Sequence, residues 1–185
     1  MDGNARAAEA AQRAQAALAQ IRTGVEQYVR LRLAAAVLRS EIERYRSMNQ
    51  GPILERASEL FFHMTLGSFA RLRTDFDERD VPVLVGVRPD GEVVHVEGMS
   101  DGTCDQLYLA LRLASLERHL AHNEPMPFII DDILINFDDE RAAASLKVLA
   151  ELSHRTQVIF FTHHRHLLEL AARTFSPDSL YVHSL

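Results

Sequence analysis

The chain has 185 residues, a length typical of one domain or of one domain with an appendage. Hydrophobic residues make up 47% and charged residues 25%, a balance that argues against a wholly disordered chain. No apolar run predicts a membrane span, and no basic and apolar N-terminal pattern predicts a signal peptide. A single cysteine, Cys104, excludes an internal disulfide. Together these features predict a reducing, cytoplasmic setting.

The basic residues are almost all arginine, and Lys147 is the one lysine of the sequence. No glycine loop precedes Lys147, so the chain lacks the G-x-x-x-x-G-K-[ST] motif that grips nucleotide phosphates. The net charge is +3 over residues 1–50 and −9 over residues 51–185. This split indicates two parts with different surroundings and excludes a uniformly basic nucleic-acid module, although a local basic stripe stays compatible with it.

Residues 4–48 predict one long helix, because they contain no proline and a single glycine, Gly24. Apolar residues recur there in steps of four and three, a pattern typical of a coiled coil with one phase shift. The repeating positions are Ala7, Ala11, Ala14, Leu18, Ile21, Val25, Tyr28, Leu31, Ala35, Leu38, Ile42 and Tyr45. An ordinary amphipathic helix packed on the domain is the alternative, but the length favours a coiled-coil base over residues 1–50.

Residues 51–185 predict a separate α/β unit. Gly51-Pro52 ends the long helix, residues 53–66 have helical periodicity, and Gly67 is a plausible stop. The period then changes to two, so residues 83–87 and 93–96 predict a β-hairpin around the turn at residues 88–92.

The second half of this unit alternates helices and short apolar strands. Helices are predicted over residues 103–121, 139–153 and 165–173, with strands at 128–130 and 158–161 and another possible strand at 180–182. This order predicts a parallel sheet with its ligand sites at the carboxyl ends of the strands.

Polar residues follow both predicted parallel strands. Asp131 and Asp132 end the first, and paired acids after an apolar strand suit a Mg²⁺ position. Capping of the next segment explains the pair equally well. Asp138, a few residues later, is first of all a candidate N-cap for the helix that follows it.

Two further segments carry chemistry only weakly when each is taken alone. Ser100, Gly102 and Thr103 lie between a strand and a helix, where free N–H groups and a hydroxyl can bind an anion, although many turns look similar. His163, His164 and His166 are candidate metal ligands. One functional histidine beside two solvated ones is favoured, because adjacent side chains in extended backbone point to opposite faces.

The order of these segments is more specific than any one of them. It resembles the second half of an ABC-type ATPase head of the SMC family. Met99 to Thr103 is similar to the signature motif, Phe128 to Asp132 to Walker B, Asn136 to Asp138 to the D-loop, and His163 to the switch histidine. The segment from Leu107 to Ala114 resembles the signature helix of YhaN-like proteins and their double-strand-break repair relatives.

The resemblance implies a fold and a set of roles. The fold is the C-terminal half of a P-loop NTPase head, a parallel sheet with helices, preceded by a long coiled-coil helix and a β-hairpin. By this resemblance Asp131 holds Mg²⁺ through water, and Asp132 takes the place of the catalytic Glu, as in RecF-like members. His163 contacts the γ-phosphate and Asp138 helps to place water. Ser100, Gly102 and Thr103 bind ATP held by the opposite head.

The resemblance also implies partners. These are an N-terminal P-loop lobe of the same parent or of a split protein, and a second copy joined across ATP. Double-stranded DNA near the arginine-rich helix and a nuclease subunit are further expectations. The arginine-rich helix carries Arg30, Arg32, Arg39, Arg44 and Arg46. These side chains contact DNA phosphates or are simply solvated, and both interpretations stay open.

Three functions follow from the sequence. The first is half of a DNA-repair or DNA-metabolism ATPase, inactive without its other lobe. The second is a scaffold that dimerises with nucleotide but does not hydrolyse it, since Asp132 replaces Glu. The third is a metal-dependent phosphohydrolase built on Asp131, Asp132, His163 and His166.

Overall fold

The fold was analysed in a computed structural model that describes residues 2–49, 51–79, 81–176 and 179–184. The chain forms two compact units, Met1–Asn49 and Gln50–Leu185. The elements are α1 (Asp2–Asn49), α2 (Gly51–Met64), β1 (Arg71–Phe76), β2 (Pro82–Val87), β3 (Val93–His95), α3 (Asp101–Leu120), β4 (Phe128–Asp131), α4 (Asp139–Ser153), β5 (Val158–Phe161) and α5 (Arg165–Thr174). The α/β fold class predicted from the sequence is confirmed.

Helix α1 is one continuous helix of 48 residues, as its uninterrupted pattern predicts. The large apolar side chains of its seam are exposed. They are Leu18, Ile21, Val25, Tyr28, Leu31, Leu38, Ile42 and Tyr45. Helices this long need an apolar partner to be stable in water, so the exposed seam favours pairing with a second helix. The side chains of Ala7 and Arg46, also part of the sequence-based predictions, lie outside the described residues.

The second unit begins with α2 and an antiparallel sheet in the order β1-β2-β3. The predicted hairpin is confirmed: Gly91 has a φ of +91° and its N–H donates to the Arg88 carbonyl at 3.0 Å. Strand β1 was not predicted, because the charged sequence from Arg71 to Phe76 hides its alternation. Its Leu72 is buried among its exposed and half-buried neighbours.

Strands β4 and β5 form a parallel pair in which Phe128 faces Val158 and Asp131 faces Phe161. Helices α3 and α4 follow the predicted spans closely, and α5 begins at Arg165, with three residues between it and the end of the second strand. The strand suggested at residues 180–182 is wrong: residues 180–184 have no regular secondary structure. Leu180 instead packs against the cluster around Leu134 and Leu146.

One core joins α2, α3, α4 and both sheets, with Phe61, Leu109 and Leu113 almost completely buried in it. Two polar contacts fasten α2 to α3. Arg56 Nε donates to Glu117 at 2.6 Å, and Gln106 Nε2 donates to the Met64 carbonyl at 2.6 Å. Because α3 is fixed in this way along its length, its N-terminus has a defined position.

The parallel pair is covered on one face. Phe128, Ile130, Val158 and Phe160 pack into the core, whereas Ile129 is 59% exposed and Phe161 is 43% exposed. Parallel sheets are normally covered on both faces and contain more than two strands, so β4 and β5 have the features of one part of a larger sheet. Within the described residues, no helix is both long and apolar enough to cross a membrane.

Candidate functional site

Ser100 lies at the N-terminus of α3. Its hydroxyl accepts a hydrogen bond from the Thr103 N–H at 3.3 Å and lies 2.9 Å from the Thr103 hydroxyl. Ser100 is therefore an N-cap, a role that serine fills well because its oxygen satisfies a free N–H of the first turn. The same end of the helix carries the positive end of the helix dipole, which suits a phosphate.

Gly102 lies against the backbone of the loop that follows β4. A Cβ atom at Gly102 would lie 2.5 Å from the Asn136 carbonyl oxygen, so only glycine fits without a shift. Asn136 Nδ2 also donates to Asp105 Oδ2 at 2.8 Å. The structure thus brings the predicted signature segment into direct contact with the predicted D-loop.

Asp138 caps α4. Its Oδ1 accepts a hydrogen bond from the Arg141 N–H at 2.9 Å, as the sequence pattern suggested. It also borders an open cavity of about 410 Å³ between the loop at residues 65–68 and the start of α4. The capping role explains the residue locally and leaves its other oxygen, Oδ2, near the Arg141 side chain at 3.4 Å.

Asp131 and Asp132 are adjacent but have different surroundings. Asp131 is the last residue of β4, and its side chain is exposed. Asp132 has a φ of +46°, which turns the chain out of the strand, while its N–H donates to the Phe161 carbonyl at 3.0 Å. Left-handed backbone is unusual for residues other than glycine, although aspartate tolerates it better than most, and strained residues often occur at functional sites.

Asp132 contacts a residue that follows β5. Its Oδ2 pairs with His163 Nδ1, so the structure joins two residues 31 positions apart at the carboxyl ends of the parallel strands. Hydrogen bonding from the Thr162 side chain is the main cause that lowers the pKa of Asp132. Burial opposes this shift and the His163 ring adds to it. Asp132 is therefore held as a carboxylate at neutral pH.

The three histidines behave differently from the expectation. The rings of His163 and His164 lie side by side, with their centroids 4.0 Å apart and their planes tilted by 38°, so they do not point to opposite faces. The chain bends here, because the His164 N–H donates to Thr162 Oγ1 at 3.1 Å just before α5 begins. His166 lies apart from them and pairs with Asp139 Oδ1 at 2.7 Å. A ligand set that includes His166 is therefore not formed.

Sequence reasoning missed two participants in this site. Thr162 supports Asp132, and its position directly after an apolar strand was a usable indication. His164 joins the Asp132 and His163 pair, and the ligand atoms of all three lie within 4.8 Å of one another. The bend that places His164 there depends on a side-chain contact, which periodicity does not reveal.

No family model matches the chain. It is 33% identical over 149 residues to the uncharacterized protein YhaN of Bacillus subtilis (strain 168), covering 80% of this chain. The chain spans only 15% of the length of that relative.

Solved SMC head structures share the fold. One comes from work on ATP-driven dimerization and DNA-stimulated activation of SMC ATPases. The match covers 70% of this chain and 78% of the solved chain, at 19% identity and a TM-score of 0.55. Another is the Smc head of Pyrococcus furiosus with an extended coiled coil, bound to the C-terminal domain of ScpA. The match covers 71% of this chain and 34% of the solved chain, at 20% identity and a TM-score of 0.52.

In its fold, this chain resembles the C-terminal part of an SMC head.

Proposed function

We propose that this chain is the C-terminal half of an ATPase that acts in DNA repair or DNA metabolism and hydrolyses ATP between two heads. The observation that carries the proposal is the contact between Asp132 and His163 at the carboxyl ends of β4 and β5. This edge is where open α/β sheets bind ligands. A carboxylate and an imidazole together there suit a water molecule and a terminal phosphate.

The start of α3 binds nucleotide in trans in this proposal. Ser100, Gly102 and Thr103 present a hydroxyl pair, N–H groups and a surface without a side chain to the γ-phosphate of ATP on the opposite head. Phosphate binds well at helix N-termini, because the first N–H groups have no partner within the helix. ATP then becomes part of the interface, so dimerisation depends on nucleotide.

Asp131 is the proposed Mg²⁺ residue. Its donor set fits this ion, since Mg²⁺ is commonly held by one or two carboxylates with water and phosphate oxygens, and the Asp131 carboxylate is exposed. The ion supplies charge neutralisation on the phosphates. Asp132 orients the attacking water, and its lowered pKa suits orientation better than strong proton abstraction.

The other two roles complete the site. His163 contacts the γ-phosphate, for which its 74% exposed side chain is accessible. Asp138 helps to place water across the dimer. Catalysis by this set consists mainly of positioning and charge stabilisation, as is general for phosphoryl transfer.

The missing phosphate grip is assigned to another lobe. The face of the parallel pair that carries Ile129 and Phe161 is uncovered, and its strands form a sheet too small to stand alone. We assign this face to the N-terminal P-loop lobe, from the same parent or from a split partner. The exposed seam of α1 pairs with the coiled-coil strand that leads to that lobe.

DNA and protein partners are further parts of the proposal. Arg30, Arg32, Arg39 and Arg44 lie on α1 and can contact double-stranded DNA phosphates near the head. A nuclease subunit at the coiled-coil base and a cytoplasmic location complete it. The single, half-buried Cys104 is consistent with a reducing compartment.

The test is reconstitution. The chain alone is expected to show no ATPase activity, whereas adding the P-loop lobe is expected to give Mg²⁺-dependent hydrolysis that Asp131→Ala abolishes. His166→Ala is a matched control, because His166 pairs with Asp139 outside the proposed site. Sustained hydrolysis by the isolated chain would contradict the assignment to half of a head.

A scaffold that dimerises without turnover is the second candidate. It is favoured by one observation: Asp132 is short, engaged by Thr162 and His163, and weakly basic. Reconstituted heads that dimerise with ATP but release no phosphate would support it. The two candidates share every binding residue and differ only in what Asp132 does.

A further inference from the structure

One cluster of side chains is formed by Asp132, His163 and His164. It contains more metal-binding atoms than the proposed ATP site requires. Their possible ligand atoms, one carboxylate oxygen and two imidazole nitrogens, lie within 4.8 Å of one another. Mg²⁺ prefers oxygen ligands, whereas imidazole suits zinc and its neighbours in the first transition row. The donor set therefore fits a different class of ion from the one assigned to Asp131.

Two atoms of this cluster have no hydrogen-bond partner. Among the described residues, Asp132 Oδ1 and His164 Nε2 are both buried and unpartnered. Buried polar atoms are nearly always hydrogen-bonded, so two unpartnered atoms in one cluster are unusual. An ion bound by this cluster can give them a partner, which makes these two atoms an independent indication of a ligand.

We propose that Asp132, His163 and His164 form a binding site for a divalent transition-metal ion of the zinc type. Zinc sites with three protein ligands keep a fourth position for water or another molecule. Asp132 is only 20% exposed and is fixed by its backbone, whereas His163 is 74% exposed, so solvent reaches the site from the histidine side.

The cluster needs only a small adjustment to bind. Zinc lies about 2.0–2.2 Å from nitrogen and oxygen ligands, so ligand atoms around it approach one another more closely than the 4.8 Å limit found here. Rotation of the exposed His163 ring achieves part of this. The His163 and His164 rings already lie side by side, with centroids 4.0 Å apart. The direct contact between Asp132 and His163 opens to admit the ion, because both groups bind it in their deprotonated forms.

The consequence for hydrolysis rests on the proposed function. Asp132 and His163 are the residues assigned to the attacking water and the γ-phosphate, so an ion on both withdraws them from ATP. The site then acts as an inhibitory switch, in which zinc holds heads in a state that binds nucleotide and does not turn it over. The concentration of zinc therefore decides whether the heads hydrolyse ATP or only bind it.

The first experiment uses the full 185-residue chain without a histidine tag. Zn²⁺ is titrated by calorimetry, and Co²⁺ is used as a spectroscopic substitute in a Mg²⁺ buffer. One ion per chain is expected. Loss of one ligand in Asp132→Asn or His164→Ala is expected to weaken binding by roughly tenfold or more.

The controls separate binding from folding. His164 makes no side-chain capping bond to α5, so His164→Ala removes a ligand without removing a cap. Circular dichroism checks that each variant is folded. His166→Ala is expected to bind Zn²⁺ like the unmodified chain. The absence of binding, or an equal loss in His166→Ala, would overturn the proposal.

The second experiment uses reconstituted heads. Zn²⁺ is expected to inhibit ATP hydrolysis, and inhibition is expected to need at least roughly tenfold more Zn²⁺ in His164→Ala, each measured against its own metal-free rate. Zinc binding by the chain with heads that never hydrolyse ATP leaves the metal site standing and removes the proposed function. Hydrolysis without zinc binding does the reverse.

Discussion

The chain has two candidate ligand-binding edges that are built in opposite ways. The first edge is the N-terminus of α3, and the second edge is formed by the carboxyl ends of β4 and β5. At the first, Ser100 caps the helix and Gly102 lies tightly against Asn136. At the second, Asp132 has left-handed backbone, and two buried polar atoms lack partners. The first edge is stabilised by its own contacts, whereas the second holds strain and unmet polar groups.

In the proposed function, this difference separates a surface that binds the nucleotide of another head from a surface that carries out the reaction. Satisfied groups give a fixed shape, which suits docking onto phosphate held elsewhere. Unsatisfied groups and strain persist only where the surrounding structure enforces them, and such places are commonly functional. Substitutions at the first edge are therefore expected to change stability, and those at the second to change chemistry.

The largest expected effect is on turnover at Asp132. Asp132→Asn removes the charge and keeps a side chain that tolerates a positive φ, so the chain is expected to stay folded with little change in thermal stability. ATP hydrolysis by reconstituted heads falls by roughly 10²–10⁴-fold. Phosphate release and thermal unfolding measure the two effects. If the substitution unfolds the chain, and ATP turnover falls only in proportion to the fraction of unfolded protein, the contrast between the two edges is wrong.

Gly102→Ala tests the packing of the first edge. Its new Cβ meets the Asn136 carbonyl oxygen at 2.5 Å, so the loop must shift and unfolding free energy falls by about 1–3 kcal/mol. Gly98→Ala is the matched control, because its Cβ meets only a Val94 methyl group at 3.6 Å. Urea denaturation compares the two. Equal stability of both variants means that the contact is loose.

Ser100 allows capping to be separated from nucleotide binding. Ser100→Ala is expected to cost about 1 kcal/mol, because the Thr103 N–H loses its acceptor. Ser100→Asp keeps an acceptor and the stability, but its charge repels phosphate, so ATP-driven dimerisation is lost. Chemical denaturation and light scattering with ATP give the two readouts. Dimerisation of Ser100→Asp at the normal ATP concentration contradicts the role in trans.

The smallest effect concerns the pKa of Asp132. Thr162→Val is expected to raise this pKa towards its ordinary value, because the main cause of its lowering is removed. Since the folded pKa is the lower one, the stability from this carboxylate is present above the unfolded pKa. It is lost as pH falls through the folded pKa. A carboxyl-carbon NMR titration measures the shift, and an unchanged pKa excludes Thr162 as the cause.

Much of the second unit followed from its sequence. Apolar runs ending in acids located β4, and the change of period located the hairpin, because both depend on burial along short segments. Strand β1 was not predicted, because the charged residues Arg71, Arg73 and Asp75 leave too few apolar positions to show a period of two. Leu72 is the one buried residue of this strand. Residues 180–182 look like a strand and lack a neighbour to pair with among the described residues.

The site was predictable in its members and less so in its pairing. Asp138 as an N-cap follows from its local pattern and is found in the structure, whereas the N-cap role of Ser100 was not predicted. The closeness of Asp132 to His163 follows from parallel strands ending at one edge. The position of His164 beside His163 does not follow from the sequence, because it depends on a bend supported by the Thr162 hydroxyl.

Gly102 has a consequence for communication between two ATP sites. Its contact with the Asn136 backbone, together with the Asn136 and Asp105 hydrogen bond, makes the start of α3 and the loop before α4 one mechanical body. In a pair of heads joined as proposed, a displacement that the opposite head's nucleotide imposes on α3 also moves Asp138, which the proposal places at that same nucleotide. A residue without a side chain would thus couple the binding of ATP in trans to the placement of water.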